Sequence, residues 1–390
     1  MSRLAEQRLA TRMGSIAPFR VVEVLEEAWE VKATGRSVVL LVAGEPDFGT
    51  PRPVVDAASR AIADGQVRYT SSVGIPLLRE AISRYYDERF GVDVPASRIV
   101  VTAGASAALV LAFGATLDAG SQVILSDPGY PCNRHLIRLY GAEAVGAPVG
   151  PAENYQLSTE VVAPRWSDRT RGVLIGTPSN PTGTVVAPKD LADLVRWTTS
   201  RGGLAFVDEV YGELVYDRAP STVLSCSSDA FVVNSFSKTF GMTGWRLGWL
   251  VCPDWAMDAI TRLAQNLYIS PPVPAQFGAL AAMTPKVWAI VDERRRIFRE
   301  RRDLLVDGLR EVGFGVPVMP QGAFYVYARC DRFATDSSEL VRRLLNEAGV
   351  AVVPGEDFGD FQPKHHVRLS YAASLDQLHD ALARLAAFAR

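Results

Sequence analysis

Apolar residues return every third or fourth position from Ala17 to Thr34, with Val21, Val24, Leu25, Ala28 and Trp29 on one face. That period predicts an amphipathic helix, and Gly35 ends it. The short apolar run Val38 to Val42 stops at Gly44-Glu45-Pro46-Asp47-Phe48, where a glycine lets backbone approach a ligand or simply turns the chain. Helices are predicted from Pro51 to Asp64 and from Leu77 to Phe90, with the polar loop Tyr69 to Gly74 between them. From Arg98 the pattern alternates short apolar runs with helical periods. Strands are predicted at Arg98 to Thr102, Gln122 to Ser126, Gly172 to Gly176, Leu204 to Val207 and Ala230 to Asn234. Helices are predicted at Ala107 to Asp118, after the loop Asp127 to Pro131 as far as Tyr140, and at Asp190 to Ser200. This alternation predicts an α/β domain with a mostly parallel sheet covered by helices. Ligands collect beyond the carboxyl ends of such strands. The residues just past those ends, Ser106, Tyr130, Asn180, Asp208 and Lys238, therefore point to one common edge.

The pattern changes near Pro271-Pro272-Val273-Pro274. One long helix follows, Val287 to Val312, then an aromatic-rich antiparallel strand at Gly322 to Ala328 and a helix at Leu340 to Ala348. A strand at His366 to Tyr371 carries Arg368, and Leu375 to Phe388 closes the chain as a helix. This reads as a smaller α+β domain whose sheet is completed by N-terminal residues. The expected division is residues 1–43 as N-terminal arm and part of the small domain, 44–275 as the large domain and 276–390 as the small one.

Composition narrows the function classes. The chain has 390 residues, 48% hydrophobic and 22% charged, with a formal net charge of −2, so nothing electrostatic favours nucleic acid. The N-terminus lacks an apolar h-region, and no uninterrupted apolar run is long enough for a membrane. Cys132, Cys226, Cys252 and Cys330 are far apart, and His135, His365, His366 and His379 show no zinc spacing; a cytoplasmic protein with reduced thiols and no metal is expected. There is no internal repeat.

Candidate chemistry concentrates in Asn234 to Trp249, NSFSKTFGMTGWRLGW. Lys238 follows a strand, small and hydroxyl residues flank it, and Arg246 lies eight positions on. Such an amine is either a solvated surface group or a Schiff-base nucleophile. Gly104-Ala105-Ser106, at a helix start, offers N–H groups to an anion or merely reverses the chain; it is not a phosphate loop of the GxxxxGK type.

Taken together, LVAGEPDF, TPSNPTG, VDEVY, SFSKTFGMTGWRLGW and VRLSY resemble the class I/II aminotransferases, enzymes of fold type I that depend on pyridoxal 5′-phosphate (PLP). The resemblance covers nearly the whole chain. It implies a large domain with a sheet of the seven-stranded type, and a smaller α+β domain. It also implies roles. Lys238 matches the Schiff-base lysine, and Asp208 the carboxylate facing the pyridine nitrogen. Asn180 and Tyr211 match donors to the phenolic oxygen, and Tyr130 the aromatic stacked on the ring. Gly104, Ala105, Ser106, Ser235, Ser237 and Arg246 match the phosphate cradle. Tyr69 matches a tyrosine that reaches the phosphate in the neighbouring subunit of a homodimer. Arg368, with Asn180 and the Gly44 backbone, matches the grip on the substrate α-carboxylate. The expected activity moves an amino group from an L-amino acid to a 2-oxo acid.

Two rivals differ in class. A PLP-dependent C–S β-lyase would use the same lysine and release ammonia without an acceptor. A PLP-binding regulatory domain would carry an appended DNA-binding module, for which the length leaves no room. For the substrate, Asn266 to Val273 carries no charge, and Ile16, Tyr130, Tyr268 and Phe324 are expected wall residues. An uncharged wall predicts a donor with a neutral side chain, aliphatic or aromatic, because a distal carboxylate would be buried unpaired. A 2-oxoglutarate acceptor would then need a cation from elsewhere, such as the N-terminal arm; pyruvate would not.

Overall fold

A computed structural model describes residues 9–390; the first eight residues of the expected N-terminal arm lie outside them. The centre is a seven-stranded sheet. Reading across it, the strands are Ile99–Thr102, Gly248–Val251, Phe231–Ser235, Leu204–Asp208, Thr170–Gly176, Gln122–Asp127 and Glu143–Pro148. All neighbours are parallel except Gly248–Val251, which runs antiparallel to both strands beside it. Val123 to Leu125, Val173 to Ile175, Ala205 to Val207 and Phe231 to Val233 are buried. Helices cover both faces of a parallel sheet, so these strands read as unbroken apolar runs rather than alternating ones.

The predicted helices form within a few residues of their expected ends: Arg20–Ala33, Arg52–Ala63, Pro76–Phe90, Ala105–Thr116, Pro131–Leu139, Pro188–Ser200, Pro285–Val312 and Leu375–Phe388. Strand Glu143–Pro148 had no sequence signal. It is a half-exposed sheet edge built from Glu, Ala, Val, Gly, Ala and Pro, residues mostly poor at forming strands. The proline run near 271 leads into another helix. Pro274 sits in the first turn of helix Val273–Ala282, a position where its missing N–H is harmless. That helix packs on Arg52–Ala63 and Pro76–Phe90. The expected boundary at 275/276 falls inside it, so we propose a boundary just before Pro285.

The C-terminal part holds a second, antiparallel sheet, Val353–Pro354, His366–Ser370 and Tyr325–Arg329. Val39–Leu40 pairs in parallel with Val350–Ala351, and Ser370 N–H donates to the Leu41 carbonyl at 2.8 Å. N-terminal residues thus pair with the C-terminal part in a separate two-stranded sheet rather than extending the expected antiparallel one. A polar clasp ties the central sheet to the C-terminal part. Asp127, at the end of its strand, accepts from the N–H groups of Asp360 and Phe361 at 3.0–3.2 Å, and Gly129 N–H donates to the Phe358 carbonyl at 2.8 Å.

Candidate active site

Beyond the carboxyl edge of the sheet lies a cavity of about 540 Å³. Ser106, Tyr130, Asn180, Asp208 and Lys238 all line it, joined by Gly44, Ala105, Tyr211, Ser235, Ser237, Arg246 and Arg368. Of the expected site residues, only Gly104 and Tyr69 are absent from the wall of this protomer. Gly104 acts from behind. It caps helix Ala105–Thr116 at φ +83°, a conformation that favours glycine, and a Cβ there would come within 2.7 Å of Arg246 Nη2. Tyr69 is 81% exposed.

Lys238 lies in the short helix Phe236–Thr239, whose cap Ser235 accepts from Ser237 N–H at 3.1 Å. The Lys238 amine donates to the Gly44 carbonyl at 2.6 Å. Burial lowers it from 10.5 to about 8; the Glu45 carboxylate opposes this, Arg246 and Arg368 add to it, and Asp208 again opposes. Burial raises Asp208 to about 6, against the Val210 N–H donated to its Oδ1 at 3.0 Å and the charge of Lys238. Burial also raises the phenols of Tyr130, Tyr211 and Tyr325, so each stays a protonated donor at neutral pH.

Arg368 is 1% exposed. It donates to Asn180 Oδ1 at 3.2 Å and to the Val42 carbonyl at 2.8 Å, its guanidinium lies 4.5 Å from the Tyr325 ring centre, and its Nε has no partner. Arg246 donates to the Thr243 carbonyl at 3.0 Å. Among the described residues, no carboxylate lies within 4 Å of Lys238, Arg246 or Arg368, whereas Arg89, Arg301 and Arg302 each have such a partner. Three cations in one cavity, none of them ion-paired, suit an anionic ligand.

Those residues suit the parts of PLP. A phosphate would meet Arg246, the Ser235 and Ser237 hydroxyls and the free N–H groups that open helix Ala105–Thr116. An aldehyde would meet an amine that gives up its proton far more readily than an ordinary lysine, and a ring nitrogen would meet a carboxylate held by one N–H donor and otherwise walled in. A separate carboxylate would meet Arg368.

The sequence reading missed several wall residues. Phe324 is buried behind the cavity, stacked on Phe298 at 5.5 Å, while its neighbour Tyr325 faces inwards and shares a hydrogen bond with Tyr211 at 2.9 Å. Successive residues of an extended chain face opposite ways, and the parity was misjudged by one. Ile16 and Tyr268 are not on the wall either. Helix Arg20–Ala33 supplies Val21, Leu25 and Trp29 in their place, with Phe19 just before it. Its apolar period was visible, but what that face covers was not.

Fold and site together define an α/β enzyme whose cavity sets two arginines around an amine that burial lowers to about 8. The chain belongs to the aminotransferase class I and II family, whose model matches residues 36–385. It is 41% identical to the valine–pyruvate aminotransferase of Mycobacterium tuberculosis over 97% of both chains, and 37% identical to the aspartate/prephenate aminotransferase of Thermus thermophilus over 97% of this chain and 98% of that one. Among solved structures, an aminotransferase from Mycobacterium tuberculosis superposes with a TM-score of 0.94 at 40% identity, covering 97% of this chain and 98% of the other. Thermus thermophilus aspartate aminotransferase with maleate superposes with a TM-score of 0.92 at 36% identity, covering 97% and 99%. The enzyme is an aminotransferase of fold type I. No helix among the described residues is long and apolar enough to cross a membrane.

Proposed function

We propose that this aminotransferase holds PLP on Lys238 and moves the amino group of an L-amino acid with a neutral side chain to a 2-oxo acid. The observation that carries the reading is the trio Lys238, Arg246 and Arg368, cations that face one cavity with no described carboxylate within 4 Å of any of them. PLP would be held at its phosphate by Arg246, Ser235, Ser237, Ala105 and Ser106. Tyr130 would cover its ring, Asp208 would face its nitrogen, and Asn180 and Tyr211 would donate to its phenolic oxygen. When bound, PLP supplies an electron sink for the bonding pair released at the substrate Cα. Arg368 forks onto the α-carboxylate, with Asn180 bracing its guanidinium. Lys238 Nζ takes the proton from Cα, a task suited to an amine lowered to about 8. Phe19, Val21, Leu25 and Leu136 give the cavity an apolar wall beside this chemistry.

The neutral side chain follows from charge. Among the described residues, the cavity is lined by these three cations only, and each is committed to phosphate, α-carboxylate or chemistry. Glu45 on the same wall opposes a further carboxylate. Pyruvate, part of the name of the Mycobacterium tuberculosis relative, suits such a cavity as acceptor. Steady-state assays with pyruvate test this. Neutral donors are expected to exceed aspartate and glutamate in kcat/KM, with keto acid and aminated acceptor formed one for one. A clear preference for the acidic donors contradicts the charge argument, and ammonia release without acceptor contradicts transamination.

We further propose a homodimer, in the cytoplasm, with Tyr69 acting in trans on the partner's phosphate site. Exposed Tyr69 has exposed Leu267 and Ile269 for company, because Thr70 N–H and hydroxyl both bond Ser270 Oγ, at 3.1 and 2.9 Å. Mixing Lys238→Ala subunits with Tyr69→Ala subunits is expected to restore activity, since one hybrid site then has both groups. Verified heterodimers no more active than either parent would count against the placement in trans.

A further inference from the structure

One polar group on the apolar wall has no task in this scheme. Asn133 lies in the first turn of helix Pro131–Leu139, three residues past Tyr130, and lines the cavity beside Leu136, one turn further on. It is 6% exposed, and its Oδ1 has no hydrogen-bond partner among the described residues. The N-terminal segment closes over this region. The Phe19 and Tyr130 rings meet edge to face at 6.2 Å, and Arg138 Nη1 donates to the Ser15 carbonyl at 2.8 Å. The amide therefore shares the cavity wall with Phe19, Leu25, Trp29 and Leu136.

Only one end of the Asn133 carboxamide has surface open to the cavity, and no described protein group bonds it; a polar group on a binding wall is completed by the ligand. The ligand group must suit whichever end of the carboxamide is turned to the cavity, and a carboxylate, which only accepts, suits Nδ2 alone. A hydroxyl or a second carboxamide both donates and accepts, and so satisfies Asn133 whichever way its oxygen and nitrogen are turned. Glu45 and the lack of a free cation weigh against the carboxylate a second time. We infer that Asn133 determines specificity for the donor side chain, selecting L-amino acids with an apolar body that ends in a hydroxyl or carboxamide. This rests on the aminotransferase reading and narrows its neutral donors to one class.

Matched pairs test it in the holoenzyme with pyruvate as acceptor: homoserine against its isostere 2-aminopentanoate, and tyrosine against phenylalanine. The wild type is expected to favour the hydroxyl member of at least one pair by about fivefold or more in kcat/KM, the worth of one ordinary hydrogen bond. Asn133→Leu is expected to erase or invert that ratio, and Asn133→Ala, which keeps a good helix former, to erase it if the leucine variant does not fold. A wild type that favours the methyl or phenyl member of both pairs, or a ratio unmoved by either substitution, overturns the inference and leaves the aminotransferase reading intact. A wild type that transaminates no amino acid overturns the underlying reading, and this one with it.

Discussion

The Asp208→Asn variant is expected to bind PLP and to lose roughly one to three orders of magnitude in kcat. The amide keeps the shape and the Val210 N–H contact but not the charge. A carboxylate facing the ring nitrogen holds a proton there, and the lost support is worth roughly 1.4–4 kcal/mol. The same change is expected to stabilise the apoprotein. Asp208 is raised from 3.8 to about 6, so the unfolded chain ionises first. Its charge costs nothing below about pH 4, costs progressively more as the pH rises towards 6, and above that removes on the order of 3 kcal/mol. At neutral pH the variant's apo form should therefore melt no lower than wild type, and its advantage should vanish near pH 4. Loss of turnover with unchanged or higher Tm separates a chemical role from a folding defect. Near-normal turnover would remove Asp208 from the mechanism.

Arg368→Lys is expected to lower kcat/KM by roughly 10²–10³-fold, chiefly through KM. Lysine keeps the charge but not the planar fork, and a desolvated charge-assisted pair is worth about 2–5 kcal/mol. The guanidinium is braced by Asn180, by the Val42 carbonyl and by the Tyr325 and Phe358 rings, and an ammonium on a shorter stem would reach fewer of them. An interaction made equally in ground and transition states appears in KM. A variant with unchanged KM for its amino donor would show that the α-carboxylate is gripped elsewhere.

Much of this was legible in the chain itself, for identifiable reasons. Parallel strands buried on both faces announce themselves as apolar runs, and the βα alternation puts their carboxyl ends on one edge. Ser106, Tyr130, Asn180, Asp208 and Lys238 could therefore be grouped before any coordinates. Two kinds of feature were hidden. The first is parity: Ala323 adopts φ +58° just before strand Tyr325–Arg329, so alternation does not carry through the turn, and Tyr325 rather than the expected Phe324 stands on the wall. The second is long-range docking. The Glu45–Thr243 hydrogen bond at 2.7 Å and the cover provided by helix Arg20–Ala33 join segments far apart in sequence. No local pattern encodes which apolar face meets which cavity.

The central claim is that Lys238 is the covalent anchor, and borohydride reduction of the PLP-loaded enzyme followed by peptide mapping tests it most directly. With the amine at about 8, capture of PLP by the apoprotein should speed up as the pH rises and level off above that value. The account predicts one reduced adduct, on the peptide that contains Lys238. An adduct on Lys32, Lys189, Lys286 or Lys364 instead would contradict it.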